Sequence, residues 1–294
     1  MIKNIAIIGS GAIGLLWAHH LKQKGFEVTL IGRRPQLLTQ PLTLQTHSGQ
    51  EVTQSINYLH NQLPSSPDLV LVMTKAYQIA DAINPYLDQL KGCPIVLMHN
   101  GLGTVEQLSL AEQHHVFLAT TSHGALKSQS GVEHTGLGQT MVGCYGDAGA
   151  DQVQTICKAL NSALPPVEYV QDINAALWKK LAINCAINPL TAMNQCRNGE
   201  LSNTKYTQQL DTIIKEISYL TERLNINLSY QEMRETVDTV INNTAKNYSS
   251  MHQDVLNGRE TEIDFINGYI VNIGKALGIP TPENEKLWRA INKL

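Results

Sequence analysis

Lys180, Asn184 and Asn188 recur at i, i+4 and i+8 within Leu177-Trp178-Lys179-Lys180-Leu181-Ala182-Ile183-Asn184-Cys185-Ala186-Ile187-Asn188-Pro189, a segment otherwise apolar nearly all round. Such a run predicts a buried helix, and the spacing lines the three polar side chains along one face. Burying an unpaired neutral polar group costs roughly 2–7 kcal/mol, so the stripe needs partners. A bound polar substrate would supply them. The competing reading turns Lys179 and Lys180 to solvent and uses the two amides as loop caps. Pro189 disfavours helical backbone at Asn188, so the stripe is expected to reach the helix end.

A second chemical pattern lies near the start, in Gly9-Ser10-Gly11-Ala12-Ile13-Gly14. Here the G-x-G-x-x-G spacing follows an apolar strand run and opens a helical one, the context its chemistry requires. The first Gly permits a tight turn, the second lets backbone approach a pyrophosphate, and the third allows close helix packing. The alternative is a structural glycine turn without ligand. About 20 residues further on, an NAD site would carry Asp or Glu for the ribose hydroxyls. The chain instead reads Ile31-Gly32-Arg33-Arg34. A guanidinium binds a 2′-phosphate that a carboxylate would repel, so NADP is expected over NAD unless the arginines merely begin a solvated segment. Lys75 and Asn100-Gly101 follow apolar runs, at the strand ends where open α/β sheets bind ligands. Each has an ordinary alternative: a Lys can cap a strand, and Asn-Gly is a common turn pair.

The elements that must position these residues change character along the chain. Ile5–Ile8, Val28–Ile31, Leu69–Met73 and Ile95–Met98 are near-continuous apolar runs, the mark of parallel strands covered on both faces. Ala12 to Lys24 has helical spacing and stops at Gly25. Residues 115–145 read as antiparallel strands at the sheet edge. After Pro165-Pro166 long helical patterns take over, with Gly278-Ile279-Pro280 separating the last two helices. The expected fold class is α/β: an N-terminal Rossmann-type dinucleotide-binding domain over residues 1–170, followed by an all-α domain over residues 171–294.

Composition narrows the partners. A net charge of -3 over 294 residues supplies no long-range attraction to nucleic acid or anionic lipid. Any anion recognition must therefore be local, which gives weight to the arginine pair. The five cysteines are scattered without a C-x-x-C pair, which favours a reducing cytoplasm and gives no metal-site grouping. No apolar stretch approaches the ~20 residues that span a bilayer, so a soluble cytoplasmic protein is expected. Later in the chain, Asn247-Tyr248-Ser249-Ser250 and Glu262 offer hydroxyls and a carboxylate. A helix cap and a first-turn acid are the ordinary alternatives.

Taken together, Gly9 to Gly14, Lys75-Ala76-Tyr77-Gln78, His99-Asn100-Gly101, Trp178 to Ala192, Asn198-Gly199-Glu200-Leu201, Asn247 to Met251, and Thr261-Glu262-Ile263-Asp264 with Asn267-Gly268 resemble the 2-dehydropantoate 2-reductase (ketopantoate reductase) family over essentially the full length. The resemblance implies NADPH-dependent reduction of 2-dehydropantoate to pantoate in pantothenate (vitamin B5) and coenzyme A biosynthesis, with the 2-oxo acid bound in a cleft between the domains. It also implies that Lys180 is the general acid, with Glu262 beside the site contacting cofactor and Lys180. Asn184, Asn188, Asn198 and the stretch Asn247, Ser249, Ser250 match substrate positions; Lys75, Asn100 and Ala125 match cofactor positions, with Asn100 also near substrate. Arg33 matches the 2′-phosphate residue, although the doubled arginine leaves the choice between Arg33 and Arg34 open. Two alternatives remain: a related NADP-dependent 2-oxo acid reductase with another substrate, and a non-catalytic NADP sensor, against which the Lys180 stripe argues. The chain is expected to work as a monomer or homodimer.

Overall fold

The Ile5–Ile8 run is buried at every residue, a pattern that a strand satisfies only with neighbours along both edges and cover on both faces. The computed structural model, which describes residues 1–33, 38–129, 131–146 and 149–294, places that strand in the middle of a sheet. In chain order the elements are β1 (Asn4–Ile8), α1 (Ala12–Gln23), β2 (Glu27–Gly32), β3 (Thr39–Gln45), β4 (Glu51–His60), β5 (Leu69–Val72), α2 (Ile79–Ile83), β6 (Pro94–Met98), β7 (His115–Thr121), β8 (Gly124–Lys127), β9 (Gly131–Gly136), β10 (Thr140–Cys144), α3 (Ala150–Ala163) and β11 (Val167–Tyr169).

Among the described residues the sheet order is β11-β10-β7-β6-β5-β1-β2-β4-β3-β9-β8. Its centre, from β7 across to β4, is parallel throughout. Strand order reverses at β1 and β5, the switch point whose carboxyl edge receives ligands in open α/β sheets. The segment expected as antiparallel edge strands is more mixed. β8 and β9 do pair antiparallel at one edge, and β10 runs antiparallel to β7. β7 itself pairs parallel with β6, because its run Val116-Phe117-Leu118-Ala119 is buried and belongs to the interior.

The polypeptide divides into two compact units: residues 1–99 with 107–173, and residues 100–106 with 174–294. A division at residue 170/171 does not foresee that Asn100–Glu106 belongs to the second unit. In that unit α4 (Ile173–Asn194), α5 (Thr207–Arg223), α6 (Tyr230–Asn243), α7 (Ser250–Leu256), α8 (Asn267–Leu277) and α9 (Pro282–Ile291) enclose one apolar core of Leu, Ile, Val, Ala and Met side chains.

α4 does not stop before Pro189 as expected; it continues to Asn194. A proline inside a helix leaves the carbonyl four residues earlier without its N–H. That carbonyl belongs to Cys185, and it accepts instead from Asn267 Nδ2 at 3.2 Å. The partner comes from α8, so a rule about local backbone could not anticipate it.

Candidate active site

In the first unit the glycine turn is shaped by close packing. Gly9 has φ +118°, and a Cβ there would lie 2.7 Å from the Met73 carbonyl oxygen just beyond β5. A Cβ on Gly14 would meet the Gly9 carbonyl at 2.0 Å. Neither position accepts a side chain, for reasons internal to the protein. Gly11 differs: a Cβ there would meet nothing within 4 Å, so packing does not explain its small size, while close approach of a ligand would. Gly11 is also the N-cap of α1, with no side-chain cap bond and no acidic residue in the first turn. The helix therefore presents its leading N–H groups without a competing carboxylate, as a pyrophosphate requires. The residues present thus fit a dinucleotide.

The remaining sequence-derived cofactor positions of this unit lie at the sheet's ligand edge or on β8. Arg33 is exposed directly after β2, and Arg34 falls outside the described residues. Lys75 follows β5 at the entry to a short 3-10 turn, Ala76–Gln78. Ala125 lies on β8 and packs against the core.

In the second unit Lys180, Asn184 and Asn188 share α4. Lys180 is half-buried; the loss of solvent around its ammonium lowers its pKa to about 8, while the negative charge of Glu262 opposes that fall. Glu262 is itself only 4% exposed, and its Oε2 accepts from Asn100 Nδ2 at 3.1 Å, across 162 residues of sequence. Close packing brings Asn100 there. Gly101 has φ +80°, a Cβ on it would strike the Phe265 carbonyl oxygen at 2.4 Å, and Leu102 N donates to that oxygen at 2.9 Å. Lys180, Glu262 and Asn100 thus form one electrostatic group, with Asn184 a helical turn beyond Lys180.

Three side-chain amide atoms are buried without a hydrogen-bond partner among the described residues: Asn184 Nδ2, Asn198 Oδ1 and Asn267 Oδ1. The first is a donor and the other two are acceptors; leaving such a group unpaired costs about 1–3 kcal/mol. Asn184 and Asn198 are the two that the sequence nominates for substrate. Asn198 is otherwise held firmly: its Nδ2 donates to Thr244 Oγ1 at 2.9 Å, and its backbone N donates to the Asn247 carbonyl at 2.9 Å. Asn188 is buried.

Ser249 caps α7, its hydroxyl oxygen accepting from His252 N at 3.1 Å. That hydroxyl lies 2.7 Å from Thr191 Oγ1, which donates back to the Ile187 carbonyl. The structural alternative for Ser249 is therefore realised, while Asn247 and Ser250 are exposed on either side of it. Thr191, Thr244 and Asn267 were not singled out by sequence reasoning. Isolated hydroxyls and amides carry no spacing signal; Thr191 and Asn267 fall inside stretches that carry the family resemblance, Trp178 to Ala192 and Asn267-Gly268, and Thr244 falls in none.

Two family models match successive stretches of the chain. The family model described as "Ketopantoate reductase PanE/ApbA" matches residues 5–147, and "Ketopantoate reductase PanE/ApbA C terminal" matches residues 172–294. The chain is 42% identical over 294 residues to the 2-dehydropantoate 2-reductase of Vibrio cholerae serotype O1, covering 99% of this chain and 97% of the relative. Its fold matches the crystal structure of a probable 2-dehydropantoate 2-reductase from Bacillus subtilis with a TM-score of 0.83 at 29% identity, covering 98% and 99% of the two chains. It also matches a D-mandelate dehydrogenase solved with NADH and anilino(oxo)acetate, with a TM-score of 0.91 at 24% identity and 98% and 97% coverage. That second structural likeness speaks to the fold alone.

Proposed function

The chain belongs to the ketopantoate reductase PanE/ApbA family, and from that premise we propose that it reduces 2-dehydropantoate to pantoate with NADPH, a step of pantothenate and coenzyme A biosynthesis. When bound, NADPH supplies the hydride that turns the ketone carbon into a carbinol. Gly9 to Gly14 and the uncapped start of α1 would hold its pyrophosphate and Arg33 its 2′-phosphate; Lys75 and Ala125 are further cofactor positions of the first unit, Asn100 and Glu262 of the second.

Lys180 acts at the ketone oxygen, stabilising the developing negative charge and then giving up its proton. The observation that carries this reading is the pairing of burial with Glu262. Burial brings the ammonium close enough to neutrality to release a proton, and the carboxylate keeps it charged at physiological pH. Asn100 orients that carboxylate through its amide. Asn184 Nδ2 and Asn198 Oδ1 offer a donor and an acceptor to the substrate's polar groups, with Asn188 beside them on α4. Ser250 with neighbouring backbone N–H groups takes the substrate carboxylate, Asn247 belongs to the same substrate stretch, and Ser249 holds that loop through the cap it makes.

Cytoplasmic location is supported by five free cysteines; among the described residues no helix is long and apolar enough to cross a membrane. The protein works as a monomer or homodimer on a small 2-oxo acid. The decisive experiment follows NADPH oxidation with 2-dehydropantoate beside pyruvate, oxaloacetate and 2-oxoisovalerate. Preference for 2-dehydropantoate is expected, and equal rates with all four would defeat the substrate assignment in favour of a broader 2-oxo acid reductase.

A further inference from the structure

We propose that Lys127 is an additional cofactor-binding residue, whose ammonium holds the pyrophosphate bridge seated on the glycine turn; this rests on the dinucleotide reading of that turn. Lys127 Nζ donates to the Ser10 carbonyl oxygen at 2.8 Å, joining residues 117 apart in sequence. The contact places a formal positive charge at the rim of a turn whose following helix has no acidic residue in its first turn. An ammonium that reaches the turn also reaches an anion lying on it, and lysine serves phosphate as a compact point charge.

The placement follows from the sheet. Lys127 pairs with Val132 across the β8–β9 hairpin, which Ser128 N closes onto the Gly131 carbonyl at 3.0 Å. Val132 is buried and pairs in turn with Leu44 of β3. Ala125 and Lys127, two residues apart, share one strand face. Ala125 packs into the core, β8 lies against α1, and Leu126 on the opposite face is exposed. The hairpin thereby fixes the Lys127 backbone beside the start of α1, leaving only the side chain to span the rest. An exposed lysine bonding a backbone carbonyl stabilises a fold little, since a long side chain must be immobilised. Binding an anion gives the same immobilised charge a larger effect.

The bridge is common to NADPH and NADH, whereas the 2′-phosphate is not. Dissociation constants for both dinucleotides, measured by fluorescence titration, therefore test the assignment. Lys127→Gln keeps a donor for the Ser10 carbonyl but removes the charge, Lys127→Met removes both, and Lys127→Arg restores charge. Lys91→Ala serves as a control for net charge, and melting without dinucleotide reports any loss of fold. Both neutral variants should weaken NADPH and NADH by the same factor, about tenfold, with shallower salt dependence and recovery in Lys127→Arg. Unchanged affinity in Lys127→Gln, or weakening of NADPH alone, overturns the proposal. If the unaltered protein binds neither dinucleotide, the cofactor reading itself fails; if it binds both and Lys127→Gln binds as well, only the lysine assignment falls.

Discussion

Asn267 Nδ2 donates to the Cys185 carbonyl, which Pro189 cannot satisfy. The same amide nitrogen lies 3.0 Å from Asn284 Oδ1, and Asn284 Nδ2 donates to Glu216 Oε2 at 2.7 Å. Glu216, 5% exposed, also accepts from the backbone N of Glu283 and Asn284 at the start of α9. One buried polar chain thus links the hydrogen bond that Pro189 removes from α4 to α5, α8 and α9, and Pro189 directly follows Asn188 on the proposed substrate face.

Asn267→Leu should destabilise the protein by about 2–5 kcal/mol, because the Cys185 carbonyl and Asn284 Oδ1 both lose a buried partner. Pro189→Ala supplies a helical N–H for Cys185 and should recover part of that loss. Denaturant unfolding of the two single variants and the double variant checks this. Strict additivity would show that the two residues do not share the carbonyl.

Lys180→Ala should bind NADPH with little change while kcat falls by about 10²–10⁴-fold, the range of a lost general acid. Titration and steady-state rates separate the two effects. Retained turnover would remove Lys180 from the chemistry.

The acid must be protonated to act, so kcat/KM for reduction should be flat below pH 8 and fall as pH rises through about 8, the value to which burial lowers Lys180. Glu262→Gln removes the charge that opposes this lowering, and the alkaline break should move to lower pH. A break that stays in place would mean that Glu262 does not tune Lys180.

Arg33→Asp should weaken NADPH by about tenfold or more, with little penalty for NADH, because a carboxylate repels the 2′-phosphate yet can accept from ribose hydroxyls. Parallel titrations decide it. An equal loss for both cofactors would return Arg33 to the role of a solvated side chain and turn attention to Arg34.

His20 and His123 should make the first unit sensitive to acid. Burial, then the neighbouring His19, His134, His123 and Lys24, lowers His20 to about 4; burial and His134 lower His123 to about 4. In the unfolded chain both groups take up protons near pH 6.5, so stability should fall as pH drops from about 6.5 to about 4. Each residue should contribute up to about one proton to the slope. His123 Nδ1 accepts from Gly138 N at 3.1 Å, a role that Oδ1 in His123→Asn can mimic. Melting temperatures across this range should flatten in His123→Asn and in His20→Phe; unchanged slopes would show that other groups govern acid unfolding.

The glycine turn, the central strands and the Lys180 stripe were legible because each is a local pattern: a fixed spacing, or a run of buried apolar residues. β3 and β4 were not. Their burial alternates, and in β4 only Ile56 and Tyr58 are buried, so polar Thr, Gln and Ser residues mask the strand period. The continuation of α4 past Pro189 depended on an amide 82 residues away. The partners of Glu262 and Ser249 were similarly beyond local rules, because Asn100 and Thr191 meet them only after folding. Chemistry-bearing residues could thus be nominated from sequence, while the contacts that tune them required the fold.

Residues 100–106 belong to the helical unit but are separated from its remainder by 107–173 of the first. A polypeptide begun at residue 174 would lack both the Leu102 N–H that meets the Phe265 carbonyl and the Asn100 amide that meets Glu262. The helical half is therefore a poor cassette for recombination with another dinucleotide domain. During synthesis the same interruption imposes an order: Asn100 leaves the ribosome 162 residues ahead of Glu262, so their hydrogen bond can form only after the whole of that intervening stretch has been made.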